Sequence, residues 1–221
     1  MSEVRKAAIT DKSAVAVTLA SAFGEDPVCC WMCGQADSEQ RMTPFWRSIA
    51  RTGLRQPDHE IYIVDNGSSV AIWRGINQWK IPFGDMVRSL PAMAASLRVR
   101  FPIVLQLLSA MEMVHPTEPH YYLEFLGTRR ERQGKGDGSA VMSLMLGRCD
   151  TEGVPAYLES SNPRNIPFYA RFGFVERGTV HTPKGGPSLT TMWREPQTCQ
   201  PSTPHAGGRS GLFRDLLMFM G

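Results

Sequence analysis

The sequence of 221 residues lacks the features that mark secreted, membrane-spanning and nucleic-acid-binding proteins. No uninterrupted apolar run reaches about 18 residues, the length that a membrane-spanning helix needs. The N-terminus, MSEVRKAAITDKS, has no apolar run of the kind found in secretory signals. The formal net charge is only +3 and the basic residues are dispersed, which argues against a nucleic-acid partner. These absences predict a cytoplasmic globular protein without a membrane span.

Cysteine is scarce as well, with five residues in the chain, and Cys29, Cys30 and Cys33 form a cluster. A structural zinc site needs about four ligands, but there is no second CxxC motif. His115 and His120 lie far beyond zinc-finger spacing. A thioredoxin-like motif is expected within a βαβ pattern, whereas this cluster follows a predicted helix and a proline-containing turn. We therefore predict buried or partly buried thiols and no metal.

Hydrophobic periodicity predicts one mixed α/β domain over residues 1–195. The first half is expected to contain a strand from Val4 to Ile9, a helix capped by Asp11, a helix from Ser38 to about Leu54, and a hairpin of EIYIVD and SVAIWR. A helical run over residues 84–114 and a strand YYLEFLGT follow, and then a glycine-rich turn and an amphipathic helix. The last elements are a strand PAYLES, a short helix from Ile166 to Phe172, and the strands GFVERG and SLTTMWR. Beyond Pro196 the composition predicts a flexible tail, residues 196–221, that ends in the short apolar segment GLFRDLLMFMG.

The helical run over residues 84–114 has two notable kinds of residue. Pro91 and Pro102 are expected to divide it into pieces, because proline disrupts a helix interior. Methionine recurs at positions 86, 93, 111 and 113. Methionine at helical spacing fills cores, and the alternative is an adaptable pocket.

Residues 132–138 read RQGKGDG, a glycine-rich turn between a predicted strand and a predicted helix. Such a turn can present backbone N–H groups and the helix N-terminus to a phosphate. The spacing G-x-G-x-G does not fit the dinucleotide fingerprint, and Lys135 is not followed by the serine or threonine of a Walker A loop. The remaining pattern is Q-x-x-G-x-G, formed by Gln133, Gly136 and Gly138, and an ordinary tight turn is the alternative.

The pattern Q-x-x-G-x-G resembles the pyrophosphate-binding signature of the GNAT acetyltransferase superfamily, whose cofactor is acetyl-CoA. The stretches QGKGDGSAV and LESSNPRNIPFYARFGF are most similar to those of puromycin N-acetyltransferase and its relatives. The resemblance covers most of the chain from Val4 to Arg194. It implies the GNAT fold, in which a mixed central sheet, splayed in the middle, has helices on both faces and the pantetheine arm enters the gap like an extra strand.

The same resemblance implies where acetyl-CoA would bind. Leu126, Gly127 and Thr128 would offer backbone groups to the pantetheine arm, and Asn165 or Asn162 would touch it. The diphosphate would lie against the turn and the start of the next helix, at Arg132, Gln133, Gly134, Lys135, Gly136, Asp137, Gly138 and Ser139.

Two of these residues depart from the family pattern. Thr128 stands where valine is usual, and Asp137 stands where an aliphatic residue is usual. A carboxylate beside a diphosphate is repulsive. We expect Asp137 to cap a helix that begins at Gly138, while the neighbouring cations neutralise the phosphates. These cations are Arg129, Arg130, Arg132 and Lys135.

Acetyl transfer from a thioester to an amine needs a base, an oxyanion donor and an acid. An alkylamine with a pKa of about 10.4 must lose a proton before it attacks. Glu159 is the candidate base, and its alternative role is a carboxylate that caps the following turn. Tyr169 is the candidate acid for the thiolate, and its alternative is a rim aromatic with a surface hydroxyl. Asn165 is expected to cap the helix that carries Tyr169, and a backbone N–H near Thr128 would hold the oxyanion.

The leading hypothesis is an N-acetyltransferase that moves acetyl from acetyl-CoA to the primary amine of a small molecule by direct attack. Acceptor choice is assigned to GEDPVCCWMC and residues 83–114, where Glu25 and Asp26 would attract a cationic amine unless they are solvated turn residues. One alternative is acetylation of a protein lysine or N-terminus, which requires an open groove. The other is a non-catalytic acyl-CoA sensor, which Asp137 favours. A homodimer is left open.

Overall fold

The computed structural model describes residues 3–34, 38–57, 59–64, 67–80 and 82–197. Within them, seven strands form one mixed sheet in the order β1-β2-β3-β4-β5-β7-β6. The strands are β1 (Val4–Lys6), β2 (His59–Val64), β3 (Ser69–Arg74), β4 (Tyr121–Thr128), β5 (Ala156–Ser160), β6 (Val175–Val180) and β7 (Leu189–Arg194). The predicted α/β fold is confirmed, while the predicted tail lies outside the described residues from residue 198 onward.

Seven α-helices cover the two faces of the sheet in the described part of the chain. They are α1 (Lys12–Ala22), α2 (Pro27–Cys33), α3 (Glu39–Gly53), α4 (Phe83–Leu97), α5 (Phe101–Val114), α6 (Asp137–Glu152) and α7 (Ile166–Ala170). Side chains alternate along β3, because successive residues of a strand point to opposite faces. Ile72 therefore packs in one core with Trp46 of α3, and Trp73 packs in the other with Met145 of α6.

The sheet is open in its middle, as predicted. β4 and β5 are parallel and pair only from Tyr121 with Ala156 to Leu123 with Leu158. β4 continues to Thr128 while it pairs with β3 on its other side. The later part of β4 therefore has no partner strand on the side that faces β5, and a gap forms between the two strands.

The helical run between β3 and β4 breaks at a different place from the one predicted. Pro91 lies inside α4, so the prediction that it divides the helix is wrong. Met93 and Leu97 of α4 are buried in the core, and this packing outweighs the hydrogen bond that proline removes. The break comes at a short 3-10 turn, Arg98–Arg100, where Arg98 has a φ of 50°. Pro102 lies in the first turn of α5, where a missing N–H costs little.

Length and composition alone would allow the run Phe83–Val114 to cross a membrane. In the structure this run is two helices separated by the turn Arg98–Arg100. α4 packs against α3, and α5 packs against β6, so both helices belong to the folded domain.

The cysteine cluster lies on α2, a helix that the sequence analysis did not predict. Asp26 begins this helix, because its carboxylate accepts hydrogen bonds from the N–H groups of Val28 and Cys29, both at 3.0 Å. Cys29 and Cys33 are buried and Cys30 is partly buried, as predicted. In the described ranges, no group of three or more histidine, cysteine, aspartate or glutamate residues is placed to hold a metal ion.

Asp11 stands at the start of α1, as predicted, but its side chain does not cap that helix. Its carboxylate accepts from the N–H of Ala8 at 2.8 Å and from the guanidinium of Arg5 at 2.7 Å. Asp11 therefore closes the short 3-10 turn before α1 and ties it to β1.

Candidate active site

A cavity of about 480 Å³ lies between the opening in the sheet and the helix pair α4 and α5. Most of its lining side chains are apolar, including Phe45, Trp46, Ile49, Met86, Leu90, Met93, Leu107, Leu108 and Met111. Three of the four methionines of the helical run line it, whereas Met113 is 80% exposed. The pocket that was an alternative for this run is therefore present.

Polar side chains enter the cavity wall in two groups. Glu159, Tyr169, Asn165 and Asp26 lie on the side of β5. His59, Arg74, Glu124 and Asp85 lie on the side of β2, β3 and β4. The two predicted catalytic residues are thus brought together in one cavity.

Glu159 extends from β5 with a side chain that is 2% exposed. Its Oε1 makes no hydrogen bond within the described residues by geometry, and Nδ1 of His115 lies 3.6 Å from it. The phenols of Tyr122 and Tyr157 also interact with this carboxylate. The turn after β5 is closed by Asn162, whose side chain accepts from the N–H of Arg164 at 3.1 Å. The alternative role of Glu159 as the cap of that turn therefore does not fit the structure, and Glu159 lines the cavity instead.

Tyr169 lies on α7 and is 8% exposed, so it belongs to the cavity wall and not to the rim. Burial raises the pKa of its phenol, and the nearby carboxylate of Asp26 adds to this effect. The hydroxyl is therefore protonated at neutral pH and can donate a proton. Phe168 and Phe172 share the neighbouring face of the helix, with ring centroids 5.2 Å apart.

The capping residue before Tyr169 is Asn162 and not Asn165. Asn165 stands at the start of α7, but its side chain does not cap the helix, so that prediction is wrong. Asn162 caps the preceding 3-10 turn instead. Because the turn begins three residues earlier than expected, Asn165 lines the cavity.

Asp26 and Glu25 have different surroundings although they are neighbours in the sequence. Glu25 is exposed, and its Oε1 accepts from Arg130 at 3.1 Å. Asp26 is 6% exposed, and its second carboxylate oxygen accepts from Ser161 at 2.6 Å. The interpretation of Asp26 as a solvated turn residue is wrong. It is a buried carboxylate in the cavity wall that connects α2 to the loop after β5.

Asp26→Asn is expected to change how stability depends on pH. Burial raises the pKa of Asp26 in the folded state above its unfolded value. The folded state therefore gains stability from the proton at low pH, and this contribution is lost as the pH rises through the folded pKa. Asparagine cannot titrate, yet its side-chain oxygen can still accept from the N–H groups that begin α2. Urea unfolding across a pH series should show that this loss of stability with rising pH disappears, at about 1.4 kcal/mol for each unit of raised pKa.

Asp150→Asn is the matched control, because the pKa of Asp150 is shifted in the opposite direction from that of Asp26. The guanidinium of Arg194 lowers the pKa of Asp150, so the native carboxylate contributes stability that is lost as the pH falls through its folded pKa. Asp150→Asn should therefore destabilise most at neutral pH. If the two variants show the same pH dependence, burial is not what governs Asp26.

The glycine-rich turn has a left-handed backbone at two glycines and an open surface around them. Gly134 and Gly136 have φ values of 74° and 89°, which favour glycine, and a Cβ at either position would meet no atom within 4 Å. The turn lies against the end of β4, because Gln133 Nε2 donates to the carbonyl of Thr128 at 3.2 Å. The N-terminus of α6, which includes Ser139, follows directly and offers N–H groups to an anion.

Two other glycines of the predicted cofactor site have packing roles. A Cβ at Gly127 would lie 2.8 Å from Cβ of Ala22, so glycine allows α1 to approach β4. A Cβ at Gly138 would lie 3.0 Å from Oγ1 of Thr128, so glycine allows the start of α6 to approach the same strand. These glycines bring the turn and the gap in the sheet close together.

Asp137 does not cap α6, which begins at Asp137 itself with Gly136 at the capping position. Its side chain is 2% exposed and accepts from Nε of Arg132 at 2.9 Å and from Nη2 at 3.2 Å. The expectation that all four neighbouring cations serve phosphates therefore needs correction. Arg129 donates to Oγ1 of Thr18 at 2.9 Å.

Of the other two predicted phosphate-binding cations, Arg130 contacts protein groups and Lys135 is exposed. Arg130 donates to the carbonyl of Ser21 at 3.2 Å and forms ion pairs with Glu25 and Glu39. Lys135 is exposed on the turn. The basic residues before the turn thus bind it to α1 and α6, and Lys135 is the cation best placed for a phosphate.

Asp137→Leu is expected to tighten the binding of acetyl-CoA. Leucine removes a carboxylate beside the proposed diphosphate site and releases Arg132, which is 40% exposed and can turn toward a phosphate. A solvent-exposed contact between the released guanidinium and a phosphate contributes up to about 1 kcal/mol, and a gain of that size lowers Kd roughly fivefold. Titration calorimetry with acetyl-CoA measures the change, and unchanged or weaker binding would contradict the prediction.

Sequence comparison gives the family, and structure comparison gives the fold. Residues 35–174 match the acetyltransferase (GNAT) family. An uncharacterized N-acetyltransferase of Schizosaccharomyces pombe is 28% identical over 204 residues, which cover 85% of this chain and 81% of the relative.

Two crystal structures have the same fold. One, of histone acetyltransferase HPA2 and related acetyltransferase from Corynebacterium glutamicum, has a TM-score of 0.65 and 22% identity over 90% of this chain and 99% of the other. The other, of a mosquito arylalkylamine N-acetyltransferase like 5b, has a TM-score of 0.56 and 12% identity over 88% and 100%. The narrower resemblance to puromycin N-acetyltransferases stays a prediction. The family match over residues 35–174 shows that the chain belongs to the GNAT family of acetyltransferases.

Proposed function

We propose that the protein is an acetyl-CoA-dependent N-acetyltransferase that acts on the primary amine of a small, largely apolar molecule. The observation that carries this proposal is the cavity. Its volume of about 480 Å³ lies within the range of small-molecule sites, and Glu159 and Tyr169 are in its wall. α4 and α5 enclose one side of it, whereas a protein substrate would need an open groove.

The residues of the gap and the turn fit acetyl-CoA, which supplies the activated acetyl group as a thioester. The part of β4 from Leu126 to Thr128 can pair its backbone with an extended pantetheine arm, because β5 has diverged there. The turn at Gly134 and Gly136 and the N-terminus of α6 can hold the diphosphate.

The residues of the cavity supply the proton transfers. Glu159 takes a proton from the ammonium group of the acceptor, so that a neutral amine attacks the thioester carbonyl. Tyr169 gives a proton to the departing sulfur, and burial keeps its phenol protonated until then. A backbone N–H at the open edge of β4 stabilises the oxyanion.

The test is the release of thiol from acetyl-CoA by the purified protein with a panel of apolar primary amines, puromycin and lysine peptides, and with mass analysis of the products. We expect turnover with amines that fit the cavity and little with peptides. Turnover on peptides alone would contradict the small-molecule acceptor. Tight binding of acetyl-CoA without turnover on any amine would favour the acyl-CoA sensor.

A further inference from the structure

Two buried histidines lie beside Glu159. His115 follows the last residue of α5 and is 8% exposed, and His120 precedes β4 and is 2% exposed. Nδ1 of His115 is 3.6 Å from Oε1 of Glu159, and Nε2 of His115 is 3.1 Å from Nε2 of His120. The helix pair inserted between β3 and β4 thus places a histidine next to the proposed base.

Hydrogen-bond roles define the protonation of both rings. Nδ1 of His120 is 2.6 Å from the carbonyl oxygen of Glu118, which can only accept, so this nitrogen carries a proton. Burial lowers the pKa of His120 and favours its neutral form, so its Nε2 has a lone pair and accepts from Nε2–H of His115. In a neutral His115, Nδ1 is then bare. This lone pair faces Oε1 of Glu159, which makes no hydrogen bond in the part of the chain described.

We propose that Glu159 and His115 together accept the proton of the acceptor's ammonium group and that His120 holds His115 in the tautomer that can receive it. Glu159 takes the proton and transfers it to Nδ1 of His115. Nε2–H of His115 stays hydrogen-bonded to Nε2 of His120, whose other nitrogen is fixed by the carbonyl of Glu118, so His115 becomes an imidazolium without a second transfer. It returns the Nδ1 proton to solvent through the cavity when the product leaves. This inference rests on the proposed function. His115 and His120 act through Glu159 and are positioning residues.

The reaction balances with one proton released in each turnover. The amine nitrogen forms a bond to the thioester carbonyl carbon, and the C–S bond breaks. The sulfur takes its proton from Tyr169, which regains one from the nitrogen as the amide forms. The other proton of the ammonium group is the one that leaves through His115, so the products are the amide, the free thiol and a proton.

The surroundings of His115 allow it to gain a proton without competing sites. Trp79 stacks on its ring with centroids 3.9 Å apart, and the rings of Tyr122 and Tyr157 lie at 5.0 and 4.9 Å. Burial, and next the carboxylate of Glu159, raises the pKa of both tyrosines, so they stay neutral and interact with Glu159 only as donors. Glu159 and His120 are the ionisable groups that face the ring nitrogens.

Other charges near this part of the cavity are Lys80 and Glu112. They form an ion pair at 3.7 Å with side chains 70% and 59% exposed. Their opposite charges offset each other, and solvent screens them.

The first test is ¹⁵N NMR of the imidazole rings in the wild-type protein without substrate. At the pH of full activity, we expect a proton on Nδ1 of His120 and on Nε2 of His115, with Nδ1 of His115 bare. Acidification should then protonate Nδ1 of His115. A proton on Nε2 of His120, or a His115 that stays cationic across the active pH range, would overturn the relay.

The second test is the pH profile of kcat/KM for His115→Gln and His120→Gln, with the exposed His181→Gln as the control. A lost proton-transfer group lowers rates by about a hundredfold at the low end, and we expect a fall of roughly tenfold or more for His115→Gln because Glu159 remains. The acid limb of kcat/KM should also move, because Glu159 is then left without the histidine that receives its proton. The KM for acetyl-CoA should not change.

The outcomes separate this inference from the proposed function. If the wild type shows no turnover with any amine, the proposed function fails. If the wild type is active but His115→Gln folds and keeps the wild-type acid limb, the relay is wrong and the function stands. Thermal unfolding of each variant establishes folding before the profiles are compared.

Discussion

Tyr169→Phe is expected to lower kcat about a hundredfold, the low end of the range for a lost general acid. Phenylalanine fills the same buried space in α7 and removes only the hydroxyl, so the fold and the cavity should persist. The pKa of Tyr169 is raised by burial, which means that the wild-type phenol holds its proton throughout the neutral range. The rate loss should therefore be similar from about pH 6 to 9, below the ordinary tyrosine pKa of about 10.

Tyr62→Phe is the matched control for this variant. Tyr62 is partly buried in β2, where its hydroxyl donates to Glu60 at 3.2 Å, and it is not part of the cavity wall. Its loss should leave kcat within about twofold of the wild type, because a single surface hydrogen bond contributes about 1 kcal/mol to stability and nothing to the chemistry. Equal rates for Tyr169→Phe and Tyr62→Phe would show that Tyr169 is a packing residue.

Local signals in the sequence predicted most of the fold. The Asn-Gly hairpin between β2 and β3, the strand YYLEFLGT and the strand-to-helix turn RQGKGDG all have turn residues and periodicity within a short window. The helix α2 has only seven residues and a cysteine-rich face, so its periodicity was too short to detect. The break predicted at Pro91 is wrong for a different reason, because the packing of α4 outweighs the local preference of proline.

The site was predictable only where the resemblance supplied the residues. Glu159 and Tyr169 lie in the quoted stretch after β5, and the structure places both in one cavity. His115 comes from the inserted helix pair, and its contact with Glu159 depends on how that pair folds back on the sheet. Asp137 shows the same limit, because a sequence window does not reveal that its carboxylate turns to Arg132 and not to the helix N–H groups.

Glu124→Gln is expected to lower the free energy of unfolding by about 3 kcal/mol, because it breaks a buried ion pair. Glu124 accepts from Nε and Nη2 of Arg74 at 2.7 and 2.9 Å, and the two side chains are 11% and 7% exposed. Glutamine presents an NH₂ group to one of these donors and leaves the guanidinium uncompensated, with His59 on its other side. For a domain of this size, the melting temperature should fall by about 6–12 °C.

Glu112→Gln makes the same chemical change in an exposed pair. Lys80 and Glu112 are 3.7 Å apart with side chains mostly in solvent, so the cost should stay below about 1 kcal/mol. The double variant Arg74→Met with Glu124→Leu removes both buried charges and should recover most of the stability lost in Glu124→Gln, because a buried pair gains little over apolar packing. Urea unfolding of the three variants measures these differences. If Glu124→Gln and Glu112→Gln cost the same, water reaches the buried pair through the cavity, and the wall on the side of β3 and β4 is wetter than its burial indicates.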